Sequence, residues 1–252
     1  MAWREKMMRT VALMVALACA TLPACGHAQD AGRLITALET LAAKDNAEAI
    51  YHLGMAYQTG AGLPRNPAKA LEAFRRAAAL GDVLAAYKLG CFYAGQGEGL
   101  VQDDPGIALQ HKLVAAEAGY ALAQQDVAAL YAARGDLPAA TDWLEKAMRQ
   151  GWPDALATYA AIYNGAEGIP PDPVKTAAYF RILLDRTEAT QDQRDWLSNF
   201  EQRMTAEQRR QASEIVRSYR PAPTALTMKA LSGQRAAAEL VSRHGSAASR
   251  PR

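Results

Sequence analysis

Small and apolar residues recur along this chain at steps of four, the spacing that lines one face of a helix. Counted from Gly81, Gly119 and Gly151, the fourth position is alanine in each segment: Ala85, Ala123 and Ala155. The eighth position holds Leu89, Val127 and Tyr159, the ninth Gly90, Ala128 and Ala160, and the twelfth Tyr93, Tyr131 and Tyr163. An earlier copy counted from Asp45 contributes Ala49, Leu53, Gly54 and Tyr57. A small residue beside each apolar one lets a neighbouring helix approach closely. The pattern predicts the same helix four times, with tyrosines 36, 38 and 32 residues apart.

A second helix is predicted in each copy. Its starts are Asn66-Pro67, Asp104-Pro105, Asp136-Leu137-Pro138 and Asp172-Pro173. Asn and Asp cap free backbone N–H groups, and proline fits the first turn, where its missing N–H is not needed. Four residues past each cap stand Ala70, Ala108, Ala140 and Thr176; eight past stand Phe74, Lys112, Leu144 and Phe180. Gly81, Gly119 and Gly151 follow fifteen past the first three caps and suit the left-handed conformation that ends a helix. The linkers within copies are Gly-rich (residues 59–63, 95–100 and 165–169), except in the third, which has only Arg134-Gly135. Length differences fall in this loop, where insertions cost least.

The run Leu53-Gly54-x-x-Tyr57, Gly60-x-Gly62-Leu63, Ala70, Phe74, Ala77-Ala78 and Gly81 resembles the Sel-1-like repeat, as does Leu89-Gly90-x-x-Tyr93 through Gly119. The likeness covers roughly residues 45–187. It implies an all-α, right-handed αα-solenoid of about four helix-turn-helix repeats, related to tetratricopeptide repeats, with a protein or peptide partner. In proteins with related repeats the first helices line a concave groove. Carried onto this chain, the groove is Glu48, Tyr51, Met55, Gln58, Leu84, Tyr87, Cys91 and Gln125. Tyr51, Met55 and Tyr87 then form a semi-apolar patch suited to peptide recognition. The column tyrosines, Tyr57, Tyr93, Tyr131 and Tyr163, are expected in the core between helices.

A stacked repeat needs its ends covered. Residues 30–45, with Leu34, Ile35, Leu38 and Leu41, are expected to cap the solenoid of 46–187. Two helices within 190–220 are expected to close the other end, at 196–204 and 206–219, the second opening on a capping box at Thr205 and Gln208. Pro221 and Pro223 stop that helix, and 221–252, rich in Ala, Ser and Arg, is expected to be mostly disordered, with room for a short helix over 227–241.

Arg4, Lys6 and Arg9 precede an apolar run from Val11 to Leu22, too short to span a bilayer and fitting a signal peptide over 1–24. Leu22-Pro23-Ala24-Cys25 resembles a lipobox, which makes Cys25 a lipidation site; cleavage after Ala28 is the ordinary alternative. Either places the chain in the periplasm or at the outer membrane of a Gram-negative bacterium, with membrane contact only through the lipid. Cys91 then stands alone, so packing must stabilise the fold.

Charge removes one class of partner. Residues 25–219 carry 19 Lys and Arg against 24 Asp and Glu, a poor balance for binding nucleic acid. The chain holds no Gly-x-Ser-x-Gly, Ser-x-x-Lys or His-Glu-x-x-His, and its four histidines are isolated, so no catalytic residue, metal site or cofactor is expected. Beside a purely structural spacer, two functions remain. One is a non-enzymatic envelope adaptor holding a protein or peptide. The alternative is a secreted cell-wall or β-lactam-related enzyme or binding protein; secreted Sel-1-like proteins linked to β-lactams are Cys-rich, whereas Cys91 is alone here.

Overall fold

The computed structural model describes residues 24–248, which hold thirteen α-helices and no strand. Helix α1 (Ala24–Ala42) leads into four hairpins. These are α2 (Ala47–Thr59) with α3 (Pro67–Ala79), α4 (Val83–Cys91) with α5 (Pro105–Glu117), α6 (Ala121–Ala133) with α7 (Leu137–Arg149), and α8 (Pro153–Tyr163) with α9 (Pro173–Arg186). Then come α10 (Gln191–Gln202), α11 (Ala206–Ser218), α12 (Ala225–Ser232) and α13 (Gln234–Ala248). The hairpins pack each on the next, giving an all-α solenoid whose apolar seam consists of two core clusters that meet at Trp143. The leader expected over 1–24 falls, save its last residue, outside the described residues. The side chain of Cys25 also falls outside them.

One hydrogen-bond pattern recurs in all four hairpins. The carbonyl of the column tyrosine accepts the N–H of the residue that caps the second helix. The pairs are Tyr57 with Asn66 (2.8 Å), Tyr93 with Asp104 (2.8 Å), Tyr131 with Asp136 (3.0 Å) and Tyr163 with Asp172 (2.9 Å). The cap's side-chain oxygen then accepts from Lys69, Ile107, Ala139 or Lys175 N–H. The loop therefore begins and ends on a fixed pair, and the length between is free to vary. That is why the third hairpin loses its loop and keeps its geometry.

The tyrosine rings lie at the rim of the core, not deep within it. All four are half-buried and sit where the hairpin opens. Lys69 lies 5.4 Å from the Tyr57 ring centre, His111 stacks on Tyr93 at 5.8 Å, and Lys175 lies 4.1 Å from Tyr163. Position twelve is the last turn of the first helix. There the ring reaches the start of the second helix, and Tyr57, Tyr131 and Tyr163 pack against the rim of the apolar core. The seam is built from the fourth and eighth positions, with Ala49, Ala85, Ala123 and Ala155 wholly buried. Close approach at the ninth position is real: a Cβ on Gly54 would lie 2.7 Å from the Phe74 ring, and one on Gly90 2.5 Å from Lys112.

The ends differ from expectation at two places: the first closing helix runs over Gln191–Gln202 instead of 196–204, and the C-terminal stretch is ordered. Helix α1 covers the first hairpin through Ile35, Leu38 and Ala42. Helices α10 and α11 close the other end, each on a capping box, at Thr190/Gln193 and Thr205/Gln208. Residues 225–248, expected to be mostly disordered, are instead helical, and α13 packs against α1 and α2. Ala237 and Leu240 belong to the main core, so this segment buries enough apolar surface to hold its order.

Candidate binding site

After α11 the chain turns back along the solenoid. Tyr219 donates its hydroxyl to the Met148 carbonyl (2.7 Å), and Ala222 N–H bonds the Arg149 carbonyl (3.0 Å). Pro221 sits over Gly151 and Thr224 over Gly119. A Cβ at Gly151 would meet Pro221 at 2.7 Å, and one at Gly119 would meet Thr224 at 2.9 Å. These repeat-ending glycines thus have two duties. They supply the left-handed turn, with φ of 81° and 92°, and they leave room for the returning strand. The segment therefore passes the junction before α8, then the junction before α6, and then reaches α2 and α1.

A polar node fastens it. The amide of Gln150 donates to the Gly119 carbonyl and to Gln124 Oε1, both at 2.8 Å, while Gln124 donates to the Ala116 carbonyl at 3.1 Å. Gln150 Oε1 in turn accepts Thr224 N–H (3.0 Å) and faces the Thr227 hydroxyl (2.7 Å). Thr224 Oγ1 donates to the Gly119 carbonyl (2.8 Å) and accepts Thr227 N–H (3.1 Å), capping α12. Thr227 Oγ1 accepts the N–H of Ala121 at 3.0 Å. Gln124, Gln150 and Thr227 are buried, so the bonds among them and to Ala116 and Ala121 are made away from water, where unmade ones are costly.

That last bond answers a deficiency in the solenoid. The first helices α2 and α4 are capped by their own Asn46 and Asp82, which accept from Ala49 and Ala85. At the same position α6 has Tyr120 and α8 has Trp152, neither of which caps. Helix α6 therefore presents an uncapped N-terminus, and Thr227, 106 residues later, supplies the missing acceptor.

Further on, the contact becomes ionic and apolar. Lys229 Nζ lies 2.9 Å from Glu48 Oε2, with Arg243 3.7 Å from the other oxygen. His52, at 3.8 Å, then Lys229, hold the Glu48 carboxyl down at about 2 against the opposing effect of burial. Burial pushes the neighbouring Asp82 up instead. Between α1, α2 and the returning segment lies a cavity of about 350 Å³, walled by Leu34, Tyr51, Met55 and Leu84 on the solenoid and by Ala230 and Ala237 on the segment.

The expected groove residues divide accordingly. Glu48, Tyr51, Met55 and Leu84 come together, and they face the chain's own C-terminal segment. Tyr87 and Cys91 belong to a second cluster. Tyr87 donates its hydroxyl to Asp126 Oδ2 (3.0 Å), which also pairs with Lys112 Nζ (2.6 Å), and Tyr120 meets the Tyr87 ring edge-on at 5.0 Å. Lys112 occupies the core slot held by Phe74, Leu144 and Phe180 in the other hairpins, so its buried ammonium requires this partner. Burial pushes the Tyr51 and Tyr87 hydroxyls and the Cys91 thiol up. Gln58 and Gln125 are half-buried and join neither cluster. Tyr51 and Tyr87 are themselves buried, so truncating them would open cavities in the fold as well as alter a surface.

Sequence reasoning missed Gln150, Thr224, Thr227 and Lys229. The signals were present: Thr-x-x-Thr directly after two prolines, and a cap column reading Asn46, Asp82, Tyr120, Trp152. Among the described residues no three His, Cys, Asp or Glu side chains gather as metal ligands, and no helix is long and apolar enough to cross a membrane.

The fold and this face define a class, the helical-hairpin repeat scaffolds. Within it, the model of the Sel1 repeat matches residues 47–82, 83–120 and 153–185. The chain carries three Sel1 repeats. The hairpin at 121–152, with the short loop and the uncapped start, lies outside the matched stretches but folds like the others. A Sel1 repeat protein from Oxalobacter formigenes superposes with a TM-score of 0.60 at 20% identity, over 75% of this chain and 80% of that one, which shows the shared fold. A protective antigen of uropathogenic Escherichia coli with an SLR fold aligns at 24% identity over 72% of this chain and 47% of its own, with a TM-score of 0.46. No curated protein matches the chain in sequence. The Sel1 repeat is generally a protein-interaction fold without catalysis.

Proposed function

We propose that this chain is a non-enzymatic scaffold of the bacterial envelope that holds a protein or peptide partner on the face formed by Glu48, Met55, Leu84, Gly119, Ala121 and Gln150. The observation that carries the reading is the seating of residues 221–248 on that face. Backbone groups of two repeats, a buried glutamine and an ionised carboxylate all read one helical segment there. Such a mixture of directed hydrogen bonds, one ion pair and an incompletely filled apolar cavity is the composition of a peptide site. The periplasm or the outer membrane fits the leader-like N-terminus, and Cys25 is the proposed lipid attachment.

Site-directed photocross-linking in cells tests the reading. A photoreactive residue at Met55 or Thr59 on this face is expected to capture a discrete partner band. The same residue at Glu72 or Arg75, exposed on α3, is expected to capture none. Equal capture from both faces, or capture from α3 alone, would defeat it. Fractionation of the tagged chain into cytoplasm instead of envelope would remove the proposed location.

A further inference from the structure

We infer that the partner of this face is a threonine-capped amphipathic helix, and that residues 221–248 are a built-in copy of it that must leave before the partner binds. The inference rests on the scaffold reading above and names the chemistry of the site.

Three observations define the ligand. The seat around Gly119, Ala121 and Gln150 reads threonine at the helix cap and again three residues later, through the hydroxyls of Thr224 and Thr227. Glu48 reads a basic residue two positions further on, Lys229. Beyond it lies the cavity of about 350 Å³, against which the segment presents the Lys229 stem, Gln234 and, as its apolar side chains, no more than Ala230 and Ala237. A helix carrying Thr-x-x-Thr-x-Lys followed by a large apolar residue in place of Ala230 would make the same bonds and fill the space. The built-in segment is therefore an imperfect occupant. It holds its place because the short link through Pro221 and Pro223 keeps it at an effective concentration on the order of millimolar. Its outer side leaves Met228 and Leu231 exposed, while Ala237 and Leu240 on its inner side are bared together with the seat when it lifts away.

The probe is a fluorescent peptide of residues 221–248, titrated by anisotropy into the full chain. The wild-type protein is expected to bind it weakly, because the seat is filled. Thr224→Val with Thr227→Val releases the segment while leaving the seat unchanged, and the wild-type peptide is expected to bind this variant roughly tenfold tighter or more, as the open fraction rises. Lys229→Glu, on a half-exposed side chain, is expected to act in the same direction without touching the buried node. Gln150→Leu in the released background is expected to abolish binding. A peptide carrying Ala230→Leu is expected to compete better than the wild-type peptide. Equal affinity of wild type and both released variants, with helix content unchanged, would overturn the inference, and so would weaker binding of the Ala230→Leu peptide. Partner capture at Met55 that persists alongside such a failure would leave the scaffold standing and remove only the ligand named here.

Discussion

Replacing Thr227 by valine removes the hydroxyl that joins the C-terminal segment to Ala121 N–H and Gln150 Oε1 on the solenoid. Thr227 is 2% exposed, and valine has the same shape, so no cavity forms. Gln150 Oε1 keeps Thr224 N–H, and the Gly119 carbonyl keeps Gln150 Nε2 and Thr224 Oγ1. The group left without a partner is Ala121 N–H, at the uncapped start of α6. Stranding one buried donor costs about 1–3 kcal/mol. When the segment is undocked, water satisfies that N–H, so the whole cost falls on docking. A loss of about 2 kcal/mol raises the opening constant ~30-fold. Native-state hydrogen exchange reads this directly, because undocking is a local event distinct from global unfolding. Amides of α12 and α13 should exchange faster by that factor, while those of α3 and α5 stay as they were. Unchanged exchange in α12, or an equal rise throughout the solenoid, would refute the reasoning.

Three other outcomes are expected. The Glu48 carboxyl sits at about 2 when folded against an ordinary 4.5, so its ionised form stabilises the folded state above about pH 4.5, and that contribution drains away as pH falls toward 2. Glu48→Gln should flatten the fall in Tm across this window; an identical slope would show that Lys229 and His52 contribute nothing there. Gly54→Ala forces a methyl to 2.7 Å from Phe74, an overpacking cost of about 1–3 kcal/mol that exceeds the gain of about 1 kcal/mol in helix propensity. Urea unfolding should show a net loss, and a net gain would mean that Phe74 yields. Cys91, buried and with its thiol pushed up, should resist iodoacetamide in the native protein and label fully in denaturant, as read by peptide mapping; rapid native labelling would contradict its burial.

The hairpins were legible in the sequence because their determinants are local. Asn66, Asp104, Asp136 and Asp172 each cap the helix they precede, and Gly81, Gly119 and Gly151 each turn the chain where they stand. Spacing assigns a residue to a face but not to a depth, and so Tyr57 and Tyr93 were placed in a core that Ala49 and Ala85 occupy. The groove was legible in part: Glu48, Tyr51, Met55 and Leu84 share one wall, but nothing local reveals what covers them. The covering segment is bonded to residues 105 and more positions away, at Gly119 and Ala121. Its Ala- and Ser-rich composition reads as disorder when taken alone, because the apolar surface that orders it belongs to α1 and α2. Lys112 escaped notice for the same reason, since its partner Asp126 lies in the next hairpin.

The most direct measurement is a double electron–electron resonance distance between spin labels at Ala43 and Ala238, both exposed, one just past α1 and one on α13. A single narrow distance is expected for the chain alone, broadening and lengthening as the Ala230→Leu peptide is added. A broad distribution in the free chain, or a narrow one that saturating peptide leaves untouched, would contradict a face that is occupied by its own segment and opened by a better ligand.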